Sequence, residues 1–155
     1  MITRRQFLIV TCAAAAVPAR AQLPVNVTAQ RKAALAEAIR ETVGAAPLRT
    51  GRVKLDLPPL VDNGNTVPLA VTVESPMTAA DHVRAIHVFT EKNPQPRVIT
   101  VQLGPRAGRA QIATRARIAD TGLVIAIAQM SDGSFWTDRV EVVVTLSACL
   151  EEGLI

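Results

Sequence analysis

Aromatic side chains are scarce in this chain, whose 155 residues include three phenylalanines, one tryptophan and no tyrosine. Surfaces that bind single-stranded nucleic acid combine a basic groove with aromatic rings that stack against the bases. A chain with so few rings lacks such platforms. Its formal net charge of +4 comes largely from an N-terminal segment that we expect to be removed. We therefore expect no nucleic acid among its partners.

Hydrophobic runs long enough to cross a bilayer are also missing. The main apolar run, residues 7–17, follows Arg4 and Arg5 and precedes a small-x-small cleavage pattern that ends at Ala21. A membrane-spanning helix needs about 20 apolar residues. We predict that residues 1–21 form a twin-arginine-type signal peptide and that the mature protein is periplasmic without membrane contact. An ordinary secretory signal with two adjacent arginines is the alternative.

Removal of the signal peptide changes the charge balance of the chain. Three of the 17 basic residues and none of the 13 acidic residues are lost, so the formal net charge falls from +4 to +1. About 134 residues remain, which is enough for one ordinary domain and too few for two. We divide them into a lead-in with a helix (22–50), a sandwich domain (51–147) and a C-terminal arm (148–155).

Cysteine is nearly absent as well. Cys12 is lost with the signal peptide, so Cys149, close to the C-terminus, is the one thiol expected in the mature chain. A single cysteine forms no internal disulfide, and an odd cysteine in an exported protein indicates an intermolecular disulfide or a free reactive thiol. The alternative is a buried, inert cysteine that packs as a small hydrophobic side chain.

The chain also lacks the motifs of common active sites. It has no Gly-rich phosphate loop, no Walker motif and no Gly-x-Ser-x-Gly elbow. Its two histidines, His82 and His87, are five residues apart, so on one strand they point to opposite faces and cannot share a metal ion. No further cysteine or carboxylate cluster completes a metal site. We expect two structural histidines, no catalytic residue, no cofactor and no metal.

The first part of the mature chain has the pattern of one helix. Thr28 is a candidate N-cap for a helix over residues 29–43, in which Leu35 and Ile39 lie one turn apart on one face. Gly44 is expected to end this helix because glycine adopts the left-handed conformation common just beyond a helix C-terminus.

Beyond residue 50 the pattern changes to an alternation of apolar and polar residues, which is typical of strands. Seven strands are predicted, over residues 53–57, 67–73, 84–90, 97–103, 109–117, 123–130 and 135–146. The Asp132-Gly133 pair is typical of a two-residue hairpin turn between the last two strands. Short strands at this spacing favour an all-β fold, an immunoglobulin-like antiparallel β-sandwich preceded by a short N-terminal helix.

The last predicted strand is partly apolar on both faces. Val140, Val142 and Val144 share one face, whereas Val143 and Thr145 lie on the other. Such a strand is typically buried on two sides or covered by a partner subunit.

Six short segments give the chain a family resemblance. They are Leu55-Asp56-Leu57-Pro58, Asn63-Gly64-Asn65-Thr66-Val67-Pro68, Ser75-Pro76-Met77-Thr78, Ile86-His87-Val88-Phe89, Glu91-Lys92-Asn93-Pro94 and Met130-Ser131-Asp132-Gly133-Ser134. With these segments in this order, the chain resembles SoxY, the sulfur-carrier subunit of the periplasmic thiosulfate-oxidising (Sox) system. The resemblance runs from about Val53 to Leu146.

The resemblance implies a function as well as a fold. SoxY-like proteins are immunoglobulin-like, pair with a second β-sandwich protein, SoxZ, and hold sulfur intermediates on the cysteine of a flexible Gly-Gly-Cys-Gly-Gly arm. Separate Sox enzymes load, oxidise and hydrolyse the bound sulfur, so the carrier is not itself an enzyme. By this resemblance Cys149 is the site of covalent sulfur attachment, and Ser147, Ala148 and Leu150 are the arm residues that flank it.

The C-terminal arm departs from the family pattern. It reads Ser147-Ala148-Cys149-Leu150-Glu151-Glu152 and continues to Ile155, so the flanking glycines are missing and the tail is longer. Three interpretations follow. The chain is a working carrier, or a SoxY-like binding or assembly module that no longer carries sulfur, or a redox module that forms a mixed disulfide through Cys149.

Overall fold

The computed structural model describes residues 26–145. The predicted signal peptide and the predicted arm from residue 148 onward lie outside these residues. The elements are helix α1 (Val27–Val43) and strands β1 (Leu48–Arg49), β2 (Val53–Asp56), β3 (Leu60–Val61), β4 (Val67–Val73), β5 (Val83–Thr90), β6 (Arg97–Gln102), β7 (Gln111–Ala116), β8 (Gly122–Met130) and β9 (Phe135–Val144), with a 3₁₀ turn at Pro105–Ala107.

Helix α1 begins two residues earlier than the sequence pattern predicts. The Asn26 side chain, not that of Thr28, caps it: Asn26 Oδ1 accepts a hydrogen bond of 3.0 Å from the Ala29 N–H. Asparagine is among the strongest N-caps because its short side chain reaches the unpaired amides of the first turn. The predicted end at Gly44 is confirmed, since this residue has φ +65° and donates its N–H to the Arg40 carbonyl.

Two sheets pack face to face, which confirms the predicted β-sandwich. The larger sheet has the order β1-β9-β8-β5-β6, with β3 also paired to β9, and the smaller sheet has the order β2-β4-β7. All seven predicted strands are present. The structure adds β1 and β3, each two residues long, which run parallel to β9 in an otherwise antiparallel arrangement. Two residues are too few to show a periodic pattern, so the sequence does not reveal these strands.

The main core lies between the two sheets. Alternate side chains of β4 point into it, and Val67 and Val71 are fully buried. The larger sheet contributes Ile86, Val88 and Val124, which are also fully buried. Each such side chain stabilises the fold by about 1.5–3 kcal/mol relative to an exposed one. The alternation that predicts these strands therefore also identifies their inward faces.

A second, smaller core lies on the outer face of the larger sheet, beneath α1. Leu35 of the helix packs in one cluster with Phe89, Ile127 and Phe135 of the sheet. Arg97 secures the helix from β6, because its guanidinium lies over the Phe89 ring and donates hydrogen bonds to α1. The sheet is thus covered on both faces at this point, which explains the nearly continuous apolar sequence of β8.

The hairpin between β8 and β9 is longer than predicted. Its loop has three residues, 131–133, because the Met130 N–H donates to the Ser134 carbonyl at 2.9 Å. Gly133 occupies the left-handed position with φ +82°, as in three-residue loops that end in a bulge. Asp132 Oδ1 accepts hydrogen bonds from the side chain and backbone of Ser134, and these lower the pKa of the exposed Asp132 carboxyl.

One side chain connects the two sheets at their shared edge. Asp138 of β9 accepts a hydrogen bond of 2.8 Å through Oδ2 from the backbone N–H of Leu55 in β2. Leu55 is buried, so its N–H needs a partner inside the protein. Asp138 supplies that partner where no strand of residues 26–145 pairs with this edge of β2.

We predict that Asp138→Ala lowers the free energy of unfolding by about 1–3 kcal/mol, because it leaves the buried Leu55 N–H without an acceptor. Urea denaturation measures this change. Asp138→Asn is the matched control, since its amide oxygen remains an acceptor and should preserve most of the stability. An alanine variant as stable as the unaltered protein would contradict this role for Asp138.

Candidate functional site

The residues predicted to carry the chemistry, Cys149 with Ser147, Ala148 and Leu150, lie outside the described part of the chain. The structure instead describes the segment from which the arm departs, residues 143–145, which we call the arm root. The following contacts determine where the arm begins and how firmly its base is held.

Strand β3 holds the arm root from one side. The Val143 N–H donates to the Pro59 carbonyl at 2.8 Å, and the Thr145 N–H donates to the Val61 carbonyl at 2.9 Å. The Thr145 hydroxyl also donates to the Asp62 carbonyl at 3.1 Å. The backbone is therefore fixed by hydrogen bonds up to the last described residue.

Thr121 holds the arm root from the other side. Its Oγ1 accepts a hydrogen bond of 2.9 Å from the Val144 N–H and lies 3.3 Å from the Val144 carbonyl oxygen. Thr121 belongs to the turn before β8, between two of the predicted strands, 109–117 and 123–130. Its hydroxyl extends the contact between β8 and β9 beyond the last ladder pair, Gly122 and Val142.

The fixed root limits the reach of the arm. Cys149 is the fourth residue after Thr145, and an extended chain spans about 3.3–3.6 Å per residue. The thiol can therefore lie up to about 14 Å from the end of the sheet. This distance allows Cys149 to contact the neighbouring loops or a second protein.

An exposed apolar patch lies beside the arm root. Leu60 of β3 and Val143 of β9 are register partners, and 60% and 47% of their surfaces are exposed. The inward residues Val142 and Val144 are buried in the core. The last strand thus has apolar side chains on its outer face as well. At the start of β9, α1 covers Phe135, whereas Val143 at the end of β9 is exposed.

A groove of about 590 Å³ opens at the same end of the sandwich, between the edges of β6 and β7. We call it the basic groove. Its lining residues are Asn93, Pro94, Gln95, Arg97, Val98, Ile99, Arg115, Ala116, Arg117 and Ala119. Three of these are arginines and none is acidic, so the groove favours an anionic ligand or segment.

The two histidines have separate neighbours. His82 precedes β5, and its Nδ1 lies 3.1 Å from the Thr78 carbonyl oxygen. His87 lies within β5, with Nδ1 3.1 Å from the Thr100 hydroxyl. Burial, and secondarily the nearby Arg97 guanidinium, lowers the pKa of His87 below its ordinary value, which favours the neutral imidazole.

Two further features concern metal ions and membranes. Within residues 26–145, no three histidine, cysteine, aspartate or glutamate side chains gather as a set of metal ligands. In the same part of the chain, α1 is too short and too polar to cross a bilayer, and no other α-helix is present.

The family can now be assigned from sequence comparison. The family described as sulfur oxidation protein SoxY matches residues 39–149, which is more than half of the chain. This chain belongs to the SoxY family. The match begins within α1, includes every strand of the sandwich and ends at Cys149.

Solved structures agree with the family assignment. The sulfur carrier protein SoxY from Chlorobium limicola f thiosulfatophilum is 26% identical with a TM-score of 0.61, over 74% of this chain and 98% of that one. A superoxide reductase (neelaredoxin) from Ignicoccus hospitalis is 19% identical with a TM-score of 0.56, over 63% and 94% of the two chains. The second likeness shows a shared fold alone. No curated protein sequence matches this chain.

The sequence does not identify the residues that support the arm. The Thr121 hydroxyl and the backbone of β3 bind the arm root from segments distant in the chain, and no local pattern marks them. The basic groove joins residues in and beside two strands, β6 and β7, so its arginines are far apart in the sequence. A thiol next to the C-terminus, in contrast, is visible from the sequence alone.

We predict that Thr121→Val loosens the arm root, because it replaces the hydroxyl partner of Val144 by a methyl group of similar size. Loss of about 1 kcal/mol of local hydrogen bonding should speed hydrogen exchange of the Val144 amide by about fivefold. Amide exchange followed by NMR measures this rate. Thr121→Ser retains the oxygen and should exchange as the unaltered protein does; equal exchange in all three proteins would exclude this function of Thr121.

Proposed function

We propose that this protein carries sulfur intermediates covalently on Cys149 during thiosulfate oxidation. In this proposal it is one subunit of a heterodimer with a SoxZ-like chain and is exported to the periplasm by the twin-arginine route. Separate Sox enzymes load, oxidise and hydrolyse the bound sulfur, and the protein itself is not a catalyst.

One observation carries the proposal: the SoxY family match extends from α1 through the whole sandwich and has Cys149 as its last residue. The structure of the arm root supports it. Hydrogen bonds fix the chain up to Thr145, and four further residues lead to the thiol. A group that several enzymes must reach in turn benefits from a firm base and a short connecting segment.

The chemistry of loading requires one thiol and an external electron acceptor. The thiolate is the reactive form of cysteine. When the outer sulfur of thiosulfate joins the Cys149 sulfur, one S–S bond forms, the thiol proton is released and two electrons leave. A separate oxidoreductase takes these electrons. The product is an anionic cysteine S-thiosulfonate, Cys149–S–S–SO3⁻.

The exposed patch of Leu60 and Val143 is our candidate surface for the SoxZ-like subunit. Strand β3 has no strand neighbour on its other side within residues 26–145, so a strand of a partner can pair with this edge. The apolar side chains beside it would then be buried. Binding here would place the partner next to the arm root.

The two other interpretations keep the fold and change the use of the cysteine. A binding or assembly module would contact its partners without sulfur on Cys149. A redox module would form a mixed disulfide with a second thiol. Both interpretations are compatible with the same sandwich and the same arm root. The sulfur chemistry of Cys149 distinguishes them from the carrier.

We predict that the mature protein isolated from thiosulfate-oxidising cells carries added sulfur or sulfonate on Cys149. Intact-mass measurement detects the additions, and Cys149→Ser is the control in which they should vanish. A free thiol that alkylates completely, in cells actively oxidising thiosulfate, would refute the carrier and favour the binding module. A reducible disulfide with another protein as the main species would favour the redox module.

We also predict that Leu60→Asp weakens binding to a SoxZ-like chain by about 5- to 30-fold, because a charge replaces an apolar contact worth about 1–2 kcal/mol. The isolated subunit should self-associate through the same patch. Titration calorimetry and sedimentation measure the two effects. Val27→Asp, at an exposed apolar residue of α1, is the control. If the isolated subunit sediments as a monomer and does not bind the SoxZ-like chain, the proposed interface is refuted.

A further inference from the structure

The basic groove is a built feature of the sandwich. Asn93 fixes its two walls together, because its side chain donates to the Arg117 carbonyl at 2.9 Å and accepts from the Ala119 N–H at 2.8 Å. Both bonds join the loop before β6 to the segment after β7. The groove therefore has a defined width at the end that lies nearest to the arm root.

The groove combines a positive rim with an apolar floor. Val98 and Ile99 are partly buried against the main core, and Ala116 is buried within it. The rim arginines differ in their contacts. Arg97 is engaged with α1, whereas the exposed Arg115 side chain makes no hydrogen bond or ion pair with any residue from 26 to 145. A complementary ligand is thus partly acidic and partly apolar.

The groove is within reach of the C-terminal tail. Ala119 of its wall lies two residues before Thr121, and Thr121 binds the arm root at Val144. Glu151 is the sixth residue after Thr145, which corresponds to a span of up to about 20 Å when the chain is extended. Because neighbouring strands are about 4.8 Å apart, the three steps from β9 to β6 cover about 14 Å. The tail is therefore long enough to enter the groove.

The tail has the chemistry that the groove would accept. Residues 150–155 read Leu-Glu-Glu-Gly-Leu-Ile, which places two adjacent carboxylates among three large apolar side chains. Glu151 and Glu152 would face the arginine rim, and the apolar side chains would cover the floor. Burial of the leucines against Val98 and Ile99 adds the hydrophobic contribution that exposed ion pairs alone lack.

We infer that residues 150–155 dock into the basic groove of their own chain and thereby hold Cys149 against the end of the sandwich. This inference deepens the proposed function, on which it rests, because it assigns a resting position to the carrier thiol. In the docked state Cys149 is shielded from reagents and from other thiols. Release of the tail exposes it to a partner enzyme.

The test measures how fast iodoacetamide alkylates Cys149 in the mature chain. Arg115→Glu should speed alkylation by about two- to fivefold, the effect expected from losing one or two exposed ion pairs. Arg106→Glu makes the same charge change at the exposed 3₁₀ turn before β7, at the opposite end of that strand. It should leave the rate unchanged. Equal rates in the unaltered and Arg115→Glu proteins would overturn the inference.

A second measurement does not depend on the variants. Removal of residues 150–155 from the unaltered chain should shift the backbone NMR signals of Gln95 and Ala116 and leave those of the β8–β9 hairpin in place. Charge reversal at both ends, Arg115→Glu with Glu151→Lys and Glu152→Lys, should restore the signals of the full chain. Unmoved groove signals after truncation, or shifts that grow with protein concentration, would overturn docking within one chain.

The outcome is separable from that of the proposed function. Alkylation and NMR need no sulfur loading, so tail docking can fail while Cys149 still gains sulfur in cells. Conversely, a docked tail on a protein that never gains sulfur would refute the carrier and leave the resting position of the thiol established.

Discussion

The architecture depends on satisfying both edges of β9. One edge pairs with β8 from Gly122 to Gln129. The other is covered at its start by β1 and at its end by β3, and between them the Asp138 side chain accepts a hydrogen bond from the edge of β2. An open strand of this length and apolar content would be a template for aggregation. Because β1 and β3 pair with the two ends of this edge and Asp138 bonds to β2 between them, β9 both connects the two sheets and ends in a fixed arm root.

This way of covering β9 also determines where the surface stays open. Helix α1 packs over the outer face of the larger sheet at Phe89 and Phe135, and Arg97 holds the helix there. The helix does not extend to the far end of β9, where Leu60 and Val143 remain exposed. The uncovered apolar surface and the arm root therefore occur together, so a partner bound at the patch would lie beside the base of the predicted arm.

Sequence patterns predict the elements of this fold that have several residues in a regular apolar pattern. They miss the features that depend on one or two residues. The seven longer strands are predicted because each is a run of mainly apolar residues between turn residues, with strict alternation of buried and exposed positions in β2 and near-strict alternation in β4. The two-residue strands β1 and β3, the Asn26 cap and the three-residue hairpin loop depend on single contacts, which leave no period to detect. The candidate site divides in the same way. Cys149 is identified from composition and position, whereas Thr121 and Arg115 gain their significance only when distant segments meet.

The composition of the tail can be understood from the surface next to it. A free arm with Glu151 and Glu152 beside the thiol would repel anions such as thiosulfate. Its leucines would also remain in contact with water. In the basic groove the same side chains would make favourable contacts. The arginines would attract the carboxylates, and the floor of Val98 and Ile99 would bury the apolar side chains. The composition of the tail is thus better suited to the docked position that we infer than to a permanently free arm.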